Sequence, residues 1–267
     1  MKTVLITGAA SGLGKALVSA YSSGSFMVVA VDIGFSSLQD LRPSQNILLI
    51  PMDVSSTESV ELAALTVKNL GVKIDLLINN AGIFEMYPLS EQYPEKFSRV
   101  IQINTIGPVR LIRAFLPDLV TSRGMVIQIS SESVKFPGAF QPYQISKIAL
   151  EAYSRSVRQE LALKGVKLVI IRPGAMQTGL FGELNSYHNP IGNSIFEKEF
   201  MNFTGGTTRF VGRIIPAEQV AGRIYRISKK KRPKYIYRMN NNPVLTLVSL
   251  LPARISDRLV VYFLKKK

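Results

Sequence analysis

Tyr143 and Lys147 stand four residues apart in the run Pro142-Tyr143-Gln144-Ile145-Ser146-Lys147. On a helix, positions i and i+4 share a face, so an ammonium and a phenol can lie side by side. A free tyrosine titrates near pKa ~10 and is a poor acid–base catalyst at neutral pH, whereas a neighbouring cation favours the phenolate. Bringing the phenol to about 7 takes roughly 4 kcal/mol of differential stabilisation, at ~1.36 kcal/mol per unit. A desolvated lysine beside a positively charged cofactor ring has the right charge for this. Many ordinary helices carry Tyr and Lys at the same spacing, so the pair takes its meaning from the elements around it.

Those elements alternate. Val4–Ile6, Met27–Val31, Ile47–Ile50, Ile74–Ile78, Met125–Ile129 and Val166–Ile171 read as short buried strands. Segments of helical period lie between them, among them Leu13–Tyr21, Ser59–Leu70, Ile101–Leu119 and Ile145–Leu163. Six such strands alternating with helices predict an α/β fold, a doubly wound parallel sheet with helices on both faces. A further strand near Tyr235–Tyr237 would bring the sheet to about seven. In such sheets ligands bind beyond the carboxyl ends of the strands. Residues 183–215 break the alternation, with an expected helix near Ile195–Asn202, and read as a substrate lid within one domain spanning 1–267.

The first strand ends in Thr7-Gly8-Ala9-Ala10-Ser11-Gly12-Leu13-Gly14. Gly8 permits the tight turn; Gly12 and Gly14 permit close backbone approach and helix–strand packing. The helix that starts there aims free N–H groups and its positive dipole end at a pyrophosphate. Asp32 closes the second strand, where a carboxylate accepts hydrogen bonds from ribose hydroxyls and repels a 2′-phosphate. Neither Ser11 nor Ile33 offers a cation for that phosphate, so NAD is preferred over NADP. Asp53 and Val54 follow the third strand, where an adenine can rest, although Asp53 would equally serve as a cap for the helix from Thr57.

Composition narrows the partners. There are no cysteines and one histidine, His188 in a loop-like stretch, so thiolate and histidine metal sites are not expected and a Ser-His-Asp triad is disfavoured. The first residues run directly into a strand and no apolar run reaches membrane-spanning length, which points to a cytoplasmic protein. Thirty-three basic against 18 acidic residues give a net charge of +15. Such a bias attracts polyanions and anionic surfaces. No nucleic-acid-binding motif accompanies the charges, so nucleic acid is not an expected partner.

Taken in order along the chain, these motifs resemble the compact type of the short-chain dehydrogenase/reductase family. They are the Thr-Gly-x3-Gly-x-Gly turn at 7–14, Asp32, Asp53-Val54, Asn79-Asn80-Ala81-Gly82, Asn104, Ser130-Ser131, Tyr143-x3-Lys147 and Arg172-Pro173-Gly174-x3-Thr178. The resemblance implies a Rossmann-like fold and hydride transfer between a nicotinamide ring and a carbinol or carbonyl carbon. It places Asn80, Ala81 and Gly82 in the cofactor pocket and Pro173, Gly174 and Thr178 along the nicotinamide. Tyr143 becomes the acid–base group and Lys147 its tuning cation and a ribose ligand. Asn104 holds a water that joins Lys147 to solvent. Counting thirteen residues back from Tyr143 lands the catalytic serine on Ser130, whereas anchoring on the strand end selects Ser131. Strand register fixes side-chain direction and loops absorb deletions, which favours Ser131. Glu132 beside it has no assigned role.

Phe84, Tyr87, Phe136, Phe140, Met176, Phe181, Phe196, Phe200 and Phe203 are candidates for a pocket wall and suggest a hydrophobic alcohol or ketone as substrate. The resemblance also implies a homodimer or homotetramer paired through the helices at 101–119 and 145–163. Residues 243–267 combine apolar and basic side chains. They read either as packing on the domain or a second subunit, or as peripheral contact with an anionic membrane. Two further readings stay open on the same fold: a catalytically silent NAD-binding regulator and a membrane-surface adaptor.

Overall fold

The computed structural model describes residues 1–39, 41, 46–136, 138–177, 193–210, 214–241 and 243–266. Nine strands occur among them: β1 (Lys2–Thr7), β2 (Phe26–Asp32), β3 (Ile47–Pro51), β4 (Leu76–Asn79), β5 (Met125–Ile129), β6 (Lys167–Pro173), β7 (Met176–Gln177), β8 (Ile215–Pro216) and β9 (Ile236–Met239). Seven of them form one sheet in the order β3-β2-β1-β4-β5-β6-β9, and every pairing is parallel. The expected seventh strand is β9, laid against β6. The short β7–β8 pair lies outside this sheet, and two-residue strands leave no periodic signal to read.

Chain direction across the sheet reverses at β1. From β1 the chain moves outward to β2 and β3, then returns to the other side of β1 for β4, β5 and β6. This topological switch opens a crevice beyond the carboxyl ends of β1 and β4, where ligands bind in open α/β sheets. The strands are apolar on both faces because helices cover both. Leu5, Leu77 and Ile78 are fully buried, and each such side chain contributes about 1.5–3 kcal/mol relative to exposure.

The helices are α1 (Gly12–Ser22), α2 (Phe35–Gln39), α3 (Thr57–Asn69), α4 (Pro94–Ile101), α5 (Gly107–Thr121), α6 (Pro142–Leu163), α7 (Glu197–Phe210), α8 (Ala217–Ser228), α9 (Pro243–Val248) and α10 (Ala253–Lys265). On one face of the sheet, Leu13, Leu17 and Tyr21 of α1 share a core with Val220, Ala221 and Ile224 of α8. On the other, Val60 and Val67 of α3, Leu111 and Phe115 of α5, and Val157 and Leu161 of α6 pack together. Among the described residues no helix is long and apolar enough to cross a membrane.

Two expectations needed adjusting. The fourth strand starts at Leu76, after Ile74, whose N–H is taken by the Asp118 carboxylate of α5 at 3.0 Å before the ladder begins. The helix expected over 101–119 is not uniform. Between α4 and α5, residues Gln102–Ile106 form a π-helical turn. Such wide turns often occur at functional sites, and this one carries Asn104.

Candidate active site

The glycine turn is held from three directions. Gly8 and Gly12 adopt positive φ angles of 64° and 49°, which side chains disfavour. At Gly14, a Cβ would lie 1.8 Å from the Gly8 carbonyl oxygen, so the start of α1 rests on the turn itself. From β4, the Asn80 amide donates to the Thr7 and Gly8 carbonyls at 2.8 and 3.2 Å, and Thr7 Oγ1 accepts the Asn80 and Ala81 N–H groups at 3.0 and 2.9 Å. From β2, the Asp32 carboxylate accepts the Ala10 N–H at 3.0 Å and the Gly34 N–H at 3.1 Å. Asn80 and Asp32 are therefore first of all the clamps that shape the turn.

The N-terminus of α1 is open to an anion. Its cap residue Ser11 is extended and exposed, makes no side-chain capping bond, and no acidic residue lies in the first turn. By contrast, α3 is capped internally: Ser56 Oγ accepts the Ser59 N–H at 3.1 Å. Asp53 does not cap that helix. Its carboxylate folds the turn ahead of it, accepting the Ser55 N–H and hydroxyl at 2.8 and 2.7 Å. Val54 is buried against the sheet core and abuts Gly107 at the start of α5. An open helix terminus, glycines that give way to close approach and a fixed carboxylate at the end of β2 together fit a dinucleotide.

Helix α6 carries a stripe of titratable side chains. Tyr143, Lys147 and Glu151 follow at intervals of four and face the end of β5. Each meets a different part of that strand end. The Ser131 hydroxyl is near enough to the Tyr143 phenol to favour its ionised form, while its Oγ accepts the Ser133 N–H at 3.2 Å and the Ser133 hydroxyl at 2.8 Å. Lys147 Nζ donates to the Ile129 carbonyl at 2.9 Å and lies 5.7 Å from the centre of the Tyr143 ring. The Ser130 hydroxyl turns the other way and donates to Glu151 at 2.5 Å. Glu151 also holds Arg172 of β6 in a bidentate pair at 2.8 and 2.6 Å. Ser130 thus belongs to a buried structural network, and Ser131 is the serine beside Tyr143.

Burial dominates the electrostatics of the pair. Desolvation pushes Tyr143 up to about 12, against the lowering effect of the nearby Ser131 hydroxyl. Desolvation also pulls Lys147 down to about 8. Spacing alone suggested a depressed phenol; in the chain by itself the shift runs upward, because Lys147 gives its hydrogen bond to Ile129 and both groups lose water.

Asn104 is buried and its side chain is fully engaged. It accepts the Ile83 N–H and donates to the Ile83 carbonyl, both at 2.9 Å, and donates to Ser146 Oγ at 2.9 Å. Thr105 Oγ1 adds a bond to the Ser146 carbonyl at 2.9 Å. The π turn is therefore tied to both the segment after β4 and helix α6. A Cβ on Gly82 would lie 3.1 Å from Asn104 Oδ1 and 3.5 Å from Lys147 Nζ, which puts Gly82, Asn104 and Lys147 around one point. Pro173 ends β6, and Gly174 is packed so that a Cβ would meet the Asn240 carbonyl oxygen at 2.1 Å. Thr178, His188 and Phe181 lie outside the described residues.

Beside this stripe lies an aromatic cluster. Phe84 sits 5.1 Å from the Tyr143 ring, and Phe140 contacts Phe196, Phe200 and Phe203 at 6.1, 5.5 and 5.7 Å between ring centres. Met86 and Leu264 complete it. Tyr87 joins through its N–H to the Phe140 carbonyl at 3.1 Å. Two pocket candidates lie elsewhere: Met176 packs on the α1–α8 core, and Phe136 is half-buried with its carbonyl taken by Gln144.

Sequence reasoning gave Glu132 no role. Its carboxylate is buried and pairs with Arg238 of β9, and with Lys135 at 3.3 Å. Both cations also reach Thr246 Oγ1 in α9, at 3.1 Å from Arg238 and 2.8 Å from Lys135. The loop that carries Ser131 is thereby fastened to the C-terminal segment. A pairing over more than a hundred residues has no local sequence signal.

Comparison with known proteins identifies the family. The sequence model of the family described as short chain dehydrogenase matches residues 2–189. The short-chain dehydrogenase PC-15 of Penicillium crustosum is 34% identical over 183 residues, covering 67% of this chain and 68% of that protein. The NADPH-dependent 3-dehydrocapnine reductase of Ornithobacterium rhinotracheale is 27% identical over 279 residues, covering 100% and 98%. A short-chain dehydrogenase from Streptomyces avermitilis superposes with a TM-score of 0.81 at 25% identity, covering 100% and 98%. The chain therefore belongs to the short-chain dehydrogenase family and is a nicotinamide-dependent oxidoreductase of alcohol and carbonyl groups.

Proposed function

We propose that this protein interconverts a hydrophobic alcohol and its ketone or aldehyde, with NAD as the preferred cofactor and Tyr143, Ser131, Lys147 and Asn104 as the working set. The observation that carries the reading is the convergence of Tyr143, Lys147, Gly82 and Asn104 at the end of β5: Lys147 Nζ lies 5.7 Å from the Tyr143 ring and bonds the Ile129 carbonyl, and a Cβ on Gly82 would fall 3.5 Å from Lys147 Nζ and 3.1 Å from Asn104 Oδ1. When bound, the nicotinamide supplies the hydride acceptor or donor. Thr7, Gly8, Ser11, Gly12, Leu13 and Gly14 would hold its pyrophosphate. Asp32, Asp53 and Val54 would line the adenosine, and Asn80, Ala81, Gly82, Pro173, Gly174 and Thr178 the nicotinamide half.

During reduction Tyr143 gives its phenolic proton to the carbonyl oxygen, and burial keeps that proton in place at neutral pH. During oxidation the phenolate takes the hydroxyl proton, and a protonated Lys147 favours that form. Ser131 donates to the substrate oxygen and stabilises its developing charge. Asn104 fixes the backbone of Ile83 beside Lys147, where a water can relay protons to solvent. The test is Tyr143→Phe with a panel of hydrophobic alcohols and ketones, followed by nicotinamide absorbance. Turnover should fall by about 10³-fold or more with NADH affinity changed less than about threefold. Full turnover in the variant would overturn the assignment.

Asp32 supports NAD. A carboxylate at the end of β2 would repel a 2′-phosphate; that of Asp32 is held by the Ala10 and Gly34 N–H groups, and its neighbour Ile33 is exposed and uncharged. The end-to-end relative named as NADPH-dependent weighs the other way. Side-by-side kcat/KM should favour NAD by about tenfold or more, and Asp32→Ser should narrow the ratio. The aromatic cluster against Tyr143 supports an apolar substrate, with residues 183–215 as its lid: Phe196, Phe200 and Phe203 come from that segment. Pairing of subunits through α5 and α6 completes the proposal, and sedimentation at several concentrations tests it.

A further inference from the structure

Helix α10 presents three different faces. Ser256, Val260 and Leu264, spaced by four, turn toward the protein: Ser256 is buried, Leu264 joins the aromatic cluster, and its carbonyl accepts the Asn202 amide of α7 at 2.8 Å. Ile255, Leu259, Tyr262 and Phe263, at positions i, i+4, i+7 and i+8, form a second stripe. They are 47%, 38%, 58% and 56% exposed. Arg254, Arg258 and Lys265 form a third, basic stripe, all three exposed. Just ahead of the helix, Leu247 and Leu250 are 67% and 76% exposed.

We propose that this outer face of α10 docks on an anionic lipid bilayer, with the apolar stripe in the headgroup–acyl boundary and the basic stripe on acidic headgroups. Large aliphatic and aromatic side chains left in water along one stripe mark an interaction surface. An adjacent row of cations on an amphipathic helix is the charge pattern that suits a negatively charged membrane. The net charge of +15 adds long-range attraction of the same sign. A second copy of this chain is a poorer occupant. A two-fold contact sets the same patch against itself, which would gather Arg254, Arg258 and Lys265 of both copies around one seam with none of these cations offered an anionic surface.

Docking does not rest on the oxidoreductase reading. One consequence does: because Leu264 on the inner face belongs to the cluster beside Tyr143, a bilayer on the outer face would lie about 10 Å, one helix thickness, from the aromatic wall.

The experiment is flotation of the full-length protein with vesicles of phosphatidylcholine alone or with about a quarter phosphatidylserine, at low and high salt. The expected result is binding to the anionic vesicles at least about tenfold tighter than to neutral ones, with release at about 0.5 M salt. The double variant Leu259→Ser/Phe263→Ser should weaken binding by about tenfold while its melting temperature and turnover stay unchanged. No binding of the natural chain to anionic vesicles would overturn the proposal, as would undiminished binding of the double variant. A concentration-dependent dimer that the same two substitutions abolish would overturn it too, assigning the face to a second copy.

Discussion

The two ends of the candidate site are built by different physics. The half made by β1, β2 and β4 is a web of hydrogen bonds to backbone: Thr7, Asn80 and Asp32 each bind main-chain groups across strands. The half made by α7, α10 and the loop at Phe140 is mainly apolar packing, with ring contacts of 5.5 to 6.1 Å beside two hydrogen bonds to backbone, from the Tyr87 N–H to the Phe140 carbonyl and from the Asn202 amide to the Leu264 carbonyl. Hydrogen bonds to fixed backbone specify position within tenths of an ångström, as a cofactor common to many reactions requires. Packed rings tolerate exchange at similar volume, as a pocket whose substrate differs among relatives requires.

Glycine substitution is the severest way to test the contrast. In Gly14→Val the new Cβ would meet the Gly8 carbonyl oxygen at 1.8 Å, a backbone atom that Asn80 also holds. Strand, turn and helix would have to separate. The expected cost is about 3 kcal/mol or more together with loss of NADH binding, read by denaturant titration and fluorescence. A variant that folds and binds normally would mean the turn is far less rigid than its hydrogen bonds imply.

The adjacent serines sharpen the comparison within a single strand end. Ser131→Ala should lower kcat by about 10²-fold with little change in melting temperature, as loss of one oxyanion donor does. Ser130→Ala should leave kcat nearly unchanged but cost about 1–2 kcal/mol, because a bond to the Glu151 carboxylate is lost. Reversal of these two outcomes would place the catalytic serine at 130.

Much of this architecture was legible from the chain alone. The strands announced themselves as β-branched runs buried on both faces, and Met125–Ile129 matches its expected bounds. Strand register also gave a reason to prefer Ser131 over Ser130, because adjacent residues at a strand end face opposite ways, and Ser130 Oγ does turn away to Glu151. Three features were not legible. The π turn at Gln102–Ile106 depends on Asn104 and Thr105 finding partners in the Ile83 segment and in α6. Glu132 takes its meaning from Arg238, and Leu264 from Phe140 and Phe200. Each is a long-range match between residues that look unremarkable locally. The upward shift of Tyr143 escaped notice for a related reason: i, i+4 spacing reports proximity but not desolvation.

Lys147 links the two halves and titrates accordingly. Its folded value of about 8 lies below its ordinary value of 10.5. Between those two pH values the unfolded chain binds more protons than the folded one, so this group makes stability rise with pH. Tyr143, raised to about 12, acts in the opposite direction only above about pH 10. The melting temperature of the natural chain, relative to Lys147→Met, should therefore climb from pH 7.5 to about 9.5. The difference cancels groups common to both proteins. A flat difference would mean that Lys147 keeps its charge when buried.

The smallest expected effect comes from repeating the glycine experiment in the apolar half. Gly205 lies in α7, is exposed, and a Cβ there meets nothing within 4 Å. A helix-interior glycine costs about 0.5–1 kcal/mol relative to alanine, through the backbone freedom it loses on folding. Gly205→Ala should therefore stabilise the protein by that amount, raising its melting temperature by roughly 2–3 °C, with NADH affinity unchanged. The same class of substitution would then be ruinous at the turn and beneficial in the helix beside the aromatic cluster, because of these two sites the turn alone brings backbone against backbone. If Gly205→Ala instead lowered turnover while stabilising the fold, flexibility of α7 would be part of the catalytic cycle, and the apolar half would specify the reaction through motion as well as through shape.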